Sequence, residues 1–416
     1  NVDVIDAHPW LRQATRAIVI DDGWQNSRGD WHPGSHFDLS AFVARCRQAG
    51  RLPGIWLAPF CVDTNSPLVR QRPDLLCLDA NGIPQIGLMW YILDPTQAEA
   101  ESMIRRWFHD LYALGFRYFK VDFIFVLMLA ERVARADEPR LAMVRRLLRA
   151  IREEIGDSYF LGCSAPPEAV VGICDGNRIG ADIRPDWGAI QHGTRTVGAK
   201  YWMNNRLWIS DADFVVVRSP VTSDDPYREH PMTLSRRAMA AGMGMPGMGG
   251  PMTPPALGAA KPATPNALPQ PSRPPEAPSG DAIMAFMGRK PQPLTQLGET
   301  RCWATVSVLA GGPLTLSDRL SQLNAAGWQQ IETMFSLFSG EAARPLDLMT
   351  SETPAIWVRP GNAPLLALFN WGDASADVTV ATNVLPAALR GALVDAWSGQ
   401  EYQANADTLT VSVAPR

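Results

Sequence analysis

Asp122 stands in an apolar, strand-like segment, Phe116-Arg117-Tyr118-Phe119-Lys120-Val121-Asp122-Phe123-Ile124, and a second polar strand end, Arg178-Ile179-Gly180-Ala181-Asp182, follows further along the chain. Two carboxyl groups flanking one scissile bond are the minimum equipment for hydrolysing a glycoside with retention, one as nucleophile and the other as acid and then base. Lys120 and Asp122 are two apart on a strand, so both side chains point to one face while Val121 points to the other. A cation beside a carboxylate keeps it ionised, as a nucleophile requires. The same pair would also serve as a purely structural salt bridge. Asp182 requires the opposite environment, burial beside another carboxylate, so that it holds a proton for the leaving oxygen. Asp186, beyond Pro185, is a rival acid; Asp182 takes precedence because it sits directly at the strand end with Arg178.

Sugar-gripping groups are present near other strand ends. In Asp21-Asp22-Gly23-Trp24, two carboxylates can accept bonds from vicinal hydroxyls while the indole covers the apolar face of a ring. Asp-Gly pairs also make ordinary polar turns. Trp56 offers a second aromatic wall or plain core. Arg178 could donate to a ring hydroxyl or simply pair with Asp182. Cys163 in Leu161-Gly162-Cys163-Ser164 lines the pocket; with only six histidines, none of them near it, a Cys-His nucleophile is disfavoured. No HxH or HExxH pattern supports a zinc site, so neither metal nor cofactor is expected. Asp211 and Asp213 read as loop-capping residues.

The elements that would position these groups alternate. Ala17–Ile20, Gly54–Pro59, the segment around Asp122, Tyr159–Cys163, Asn177–Ile183 and Asp213–Arg218 read as strands, and Thr305–Leu309 begins a last unit that ends near Leu314–Asp318. Helical spacing occupies Leu39–Ala49, Ala98–Leu114 and Leu127–Ile155. Seven such units predict an α/β fold, a (β/α)8 TIM barrel lacking its first strand, over residues 1–345. A doubly wound sheet is the competitor, but no glycine-rich phosphate loop follows any strand. From about Pro354 short alternating runs separated by turn residues predict a small antiparallel β-domain over 354–416. Between about 240 and 293 a Pro/Gly/Met-rich tract lacks periodic apolar content and reads as a disordered insertion.

Composition narrows the partners. With 38 basic and 42 acidic side chains the formal charge is −4, and no run of 18 apolar residues occurs, so nucleic acid and membrane are disfavoured. Six cysteines without a CxxC pair point to a reducing, cytoplasmic compartment. The first residue is Asn1 and the last strand-like run reaches Pro415-Arg416, which reads as truncation at both ends, so secretion stays open. Nothing here opposes a homo-oligomer.

Taken together, Asp21-Asp22-Gly23-Trp24-Gln25, Gly54-Ile55-Trp56-Leu57-Ala58-Pro59, Phe119-Lys120-Val121-Asp122, Cys163-Ser164, Arg178 to Asp182 and Leu314-Thr315-Leu316-Ser317-Asp318 resemble the α-galactosidases of the clan joining glycoside hydrolase families 27 and 36, closer to the second. The resemblance spans nearly the whole chain outside the Pro-rich tract. It implies Asp122 as nucleophile and Asp182 as acid/base. It also implies that Asp21 and Asp22 hold the 4- and 6-hydroxyls, with Lys120, Cys163 and Arg178 completing a pocket for one terminal sugar. The implied activity is release of terminal α-linked galactose. Relatives acting on N-acetylgalactosamine or L-arabinopyranose, galactosyl transfer, and a sugar-binding protein without turnover are the alternatives. The sequence departs from the family in lacking its first strand with the pocket Trp, and the large N-terminal β-domain of many family 36 members.

Overall fold

A computed structural model describes residues 1–184, 186–224 and 296–415. The tract predicted to be an insertion, 240–293, lies outside the described residues. The centre of the fold is a six-stranded, all-parallel sheet in chain order: β1 (Ala17–Ile20), β2 (Leu52–Leu57), β3 (Tyr118–Val121), β4 (Tyr159–Gly162), β5 (Gly176–Arg178) and β6 (Ile209–Asp211). Two residues after β6, β7 (Phe214–Val215) pairs in parallel with β8 (Thr315–Leu316). Both faces of the central strands are covered, as parallel pairing requires: Ile55, Trp56, Leu57, Phe119, Val121, Phe160 and Leu161 are all buried.

Helices follow the strands and bury one stripe each. In Ala98–Leu114 the stripe is Ala100, Ile104, Phe108 and Leu111, and the helix stops at Gly115, whose φ of 125° a side chain would resist. Leu39–Gln48 begins where Asp38 accepts from the Ala41 N–H at 2.9 Å, and buries Leu39, Val43 and Cys46. Arg140–Ile155 buries Met143, Val144, Leu147, Leu148 and Ile151. The expected helix from Leu127 therefore starts later, with a short 3-10 turn at Ile124–Leu129 before it.

Two further expectations are corrected. Thr305–Leu309, read as the start of a strand-led unit, lies inside the helix Leu297–Ala310; its β-branched residues are buried nearly all round, so neither period stands out. The strand expected over Asp213–Arg218 shrinks to Phe214–Val215. The chain can return to β8 because Gly312 lies against β6: a Cβ there would collide with the Ser210 carbonyl oxygen.

Short helices Val2–Ala7 and Pro9–Ala14 lie between the margins of the parallel array. Asn1 Nδ2 donates to the Asp318 carbonyl at 3.0 Å and its Oδ1 accepts from Leu320 N at 3.1 Å, just past β8. Asp6 pairs at 2.7 Å with the buried Arg51, which leads into β2. Ile5 and Leu11 pack with Val215, Val217 and Leu320, and Ile18 of β1 joins the same cluster. Beyond Arg344 the strands are antiparallel: Ile356–Arg359 pairs with Leu365–Leu368, and Ala376–Ala381 with Thr408–Val413. Val358, Val380, Leu385, Leu389 and Leu409 form a small core of their own, whereas Trp357 and Phe369 belong to the main one. Among the described residues no helix is long and apolar enough to cross a membrane.

Candidate active site

Parallel pairing aligns the carboxyl ends of the strands, and the polar residues sit there. Trp56 is in register with Lys120, Lys120 with Leu161, and Arg178 with Asp211. Asp21, Asp122 and Cys163 are the next residues after, respectively, β1, β3 and β4. Chemistry at the carboxyl ends of parallel strands is the common arrangement, since loops leave from that rim with free backbone groups.

Asp122 is 8 % exposed and every contact favours its anion. Its Oδ1 accepts from the Phe123 N–H at 2.6 Å and its Oδ2 from the Trp56 indole N–H at 3.1 Å. Phe123, directly after the carboxylate, adopts a left-handed φ of 52°, uncommon for a residue with a side chain. Burial pushes this carboxyl up, but the Lys120 ammonium, the Trp56 and Phe123 N–H groups and Ser164 outweigh it and hold the group below the ordinary carboxylate range. Lys120 itself donates to both oxygens of Asp21, at 3.1 and 3.0 Å. Burial lowers the Lys120 ammonium, Asp21 more than compensates, and the lysine stays charged.

Asp22 is gripped by Gln25 Nε2 at 2.7 Å and by Arg28, which sequence reasoning passed over. Arg28 also donates to Asp63 through its backbone N–H (2.8 Å) and guanidinium (3.2 Å), and it lies over the rings of Trp56 and Trp90 at 5.4 and 4.9 Å. The signal for it was weak: a single Arg six residues after Asp22, in the hairpin Gln25–Ser27/Asp30–Pro33.

Trp24 and Trp56 do not form the open aromatic walls expected of them. Trp24 is 1 % exposed, spends its indole N–H on the Trp56 carbonyl at 2.8 Å and packs on Trp31. Trp56 is 2 % exposed, with its N–H committed to Asp122. Both are core residues that fix the strand ends, and Trp56 orients the carboxylate.

Phe214 links the two halves of the site, with its ring 5.0 Å from Lys120 Nζ and 5.7 Å from the Arg178 guanidinium carbon. Burial drives the Cys163 thiol up and the Asp122 carboxylate adds to this, while Arg178 and Lys120 pull the other way. Arg178 is buried, and its guanidinium holds Asp211 at 3.0 Å, Asp213 at 2.7 Å and Asp182 at 3.3 Å. Asp211 and Asp213 are therefore partners of Arg178 rather than simple loop caps. The strand expected over Asn177–Ile183 ends at Arg178, so Asp182 lies four residues beyond it, and its side chain is 80 % exposed, not enclosed beside another carboxylate. The enclosed carboxyl is Asp213, which burial pushes up to about 6 against the pull of Arg178. Asp186, the rival acid, caps the helix Trp187–Lys200 by accepting from Ala189 N at 2.9 Å. A cleft of about 460 Å³ on the C-terminal strands, lined by Arg344, Asp347, Thr379 and neighbours, includes none of these groups.

No protein-family profile matches the sequence. Among solved structures, a β-L-arabinopyranosidase of glycoside hydrolase family 27 from Geobacillus stearothermophilus, in complex with arabinose, aligns over 100 % of this chain and 91 % of its own at 13 % identity, with a TM-score of 0.61. The chain shares the fold of that enzyme. An α-galactosidase from Thermus thermophilus, in complex with p-nitrophenyl α-D-galactopyranoside, is 28 % identical over 58 % of this chain and 52 % of its own (TM-score 0.47). A family 36 α-galactosidase from Geobacillus stearothermophilus, in complex with raffinose, is 16 % identical over 57 % and 35 % (TM-score 0.40). The chain spans about half the length of the Thermus enzyme.

Proposed function

We infer that this chain is a glycoside hydrolase of the family 27/36 clan, built on a (β/α)8 barrel, that releases terminal α-linked galactose with retention of configuration. The observation that carries the reading is Asp122, a buried carboxylate held ionised by Lys120, Trp56 and the Phe123 N–H at the rim where Asp21, Asp22, Cys163 and Arg178 also gather. Asp122 attacks the anomeric carbon while Asp182 protonates the departing oxygen. The glycosyl–Asp122 ester is then opened by water, from which Asp182 removes a proton. Asp182 takes this role from its place beside Arg178, although it lacks the enclosure expected of the acid. Asp21 and Asp22 are already aligned by Lys120 and Arg28, and their exposed edges can accept from sugar hydroxyls. The 28 % identity with the α-galactosidase solved with an aryl galactoside agrees with galactose as the sugar.

The test is hydrolysis of an aryl α-D-galactopyranoside by the chain and by Asp122→Ala with and without azide. Turnover in the parent, its loss in the variant and recovery as β-galactosyl azide support the proposal. Turnover only on N-acetylgalactosaminyl or arabinopyranosyl substrates would move the sugar specificity and keep the mechanism. Sugar binding without turnover on any of the three would identify a binding protein instead.

A further inference from the structure

The double displacement uses neither Asp211 nor Asp213, yet both share the guanidinium that touches Asp182. One buried positive charge serves three carboxylates, and its shortest contact, 2.7 Å, is to Asp213. Asp213 is held with unusual care. It separates β6 from β7 with a φ of 96°, a region that residues with a Cβ seldom occupy. Its own N–H donates to Asp211 Oδ1 at 2.9 Å, and its Oδ2 accepts from the Ile183 N–H at 2.6 Å. Ile183 directly follows Asp182. Asp213 thus holds both the guanidinium that touches Asp182 and the backbone on which Asp182 is carried.

We propose that Asp213 is a positioning residue for the acid/base step, setting through Arg178 and the Ile183 N–H how Asp182 is held and how much positive charge reaches it. The proposal rests on the reading of Asp182 as the acid/base. The charged and titratable groups around Asp213 and Arg178 are Asp182 beyond β5, Asp211 at the end of β6, Cys163 after β4, and Lys120 and Tyr118 on β3. Burial places the ionisation of Asp213 near 6. When Asp213 is ionised, the single cation is divided three ways. When Asp213 carries a proton, more of the positive charge falls on Asp182.

Asp213→Asn keeps the shape and an acceptor for Ile183 N–H but removes the charge. The measurement is kcat/KM against pH for the whole chain and this variant, using two aryl α-galactosides, one with a good leaving group and one with a poor one. The basic limb, which reports the essential acid, should move to lower pH by about half a unit or more, the scale of one screened neighbouring charge. The loss should be larger for the poor leaving group. A uniform drop with an unmoved limb would overturn the proposal. Should the variant not fold, Asp182→Asn replaces an exposed side chain and allows the Asp213 carboxyl to be titrated by carbon-13 NMR. Coupling is reciprocal, so the Asp213 inflection should fall relative to the parent, and an unchanged inflection would refute the link. Absence of turnover in the parent would count against the glycosidase reading instead, while the NMR titration would still decide the coupling.

Discussion

Asp122 and Asp213 are both buried aspartates beside parallel strand ends, each with a cation close by, and their surroundings treat the charge in opposite ways. Around Asp122 the donors outnumber the demands: an indole N–H, a backbone N–H and a nearby lysine all act on one carboxylate, which is held below the usual range. Around Asp213 the demands outnumber the donors, because Arg178 is also claimed by Asp211 and Asp182, and burial pushes the carboxyl up to about 6. Proximity to a cation is therefore a poor guide to ionisation. What decides it is how many carboxylates share the cation and how many N–H groups back it up. A nucleophile is best served by the first arrangement, and a group meant to change charge near neutral pH by the second.

The comparison breaks most visibly at Asp122. Asp122→Ala should lower kcat on the order of 10⁴-fold, the scale on which a reacting group is lost, with circular dichroism unchanged. The pH dependence of stability separates the two aspartates by sign. Asp122, lowered on folding, contributes stability above the unfolded carboxylate range and loses it as pH falls through its folded value. Asp213, raised from 3.8 to about 6, contributes stability below 3.8 and loses it as pH rises through about 6. Between those limits that amounts to roughly 3 kcal/mol at 1.36 kcal/mol per unit. Urea denaturation at pH 4 and pH 7 should show the difference between parent and Asp213→Asn changing by about this amount; a constant difference would contradict the raised value.

Lys120→Met removes the cation from the better-served side. Breaking a buried pair costs about 3–5 kcal/mol, but Asp21 is 40 % exposed and screened, so about 1–3 kcal/mol is expected. The acidic limb of kcat/KM should move to higher pH as Asp122 loses its nearest positive charge. Arg28→Ala should free Asp22 and raise KM about tenfold with kcat nearly constant, the pattern of lost ground-state binding. A fall in kcat alone would instead tie Arg28 to Asp122 through Trp56. The smallest effect belongs to Trp24→Phe. It leaves the Trp56 carbonyl without its donor and should cost about 1–3 kcal/mol while KM changes less than twofold; a large KM change would return Trp24 to the sugar site.

Strand ends were legible because a short apolar run finishing in Asp, Lys, Cys or Arg is informative by itself, as at Val121-Asp122 and Gly162-Cys163. Exposure was not legible. Trp24 adjoins two carboxylates in the sequence, yet the indole turns inward to the Trp56 carbonyl, a choice made by strand β2 and the packing of Trp31. Asp211 and Asp213 looked like loop caps because their partner, Arg178, is more than thirty positions away and meets them only through the pairing of β5 with β6. The helix Leu297–Ala310 was hidden by its own burial: an element covered on all sides has no polar stripe to reveal its period.

Residue types and local spacing by themselves determined which groups could do chemistry, that Lys120 and Asp122 share a face, and that alternating elements would build a parallel sheet. These are properties of the polymer at short range, set by the two-residue repeat of a strand and the 3.6-residue repeat of a helix. Only the tertiary structure decided which carboxylate would be crowded and which satisfied, because a charge answers to every neighbour within a few ångströms. Arg178 gathers its three carboxylates from segments that no local spacing connects.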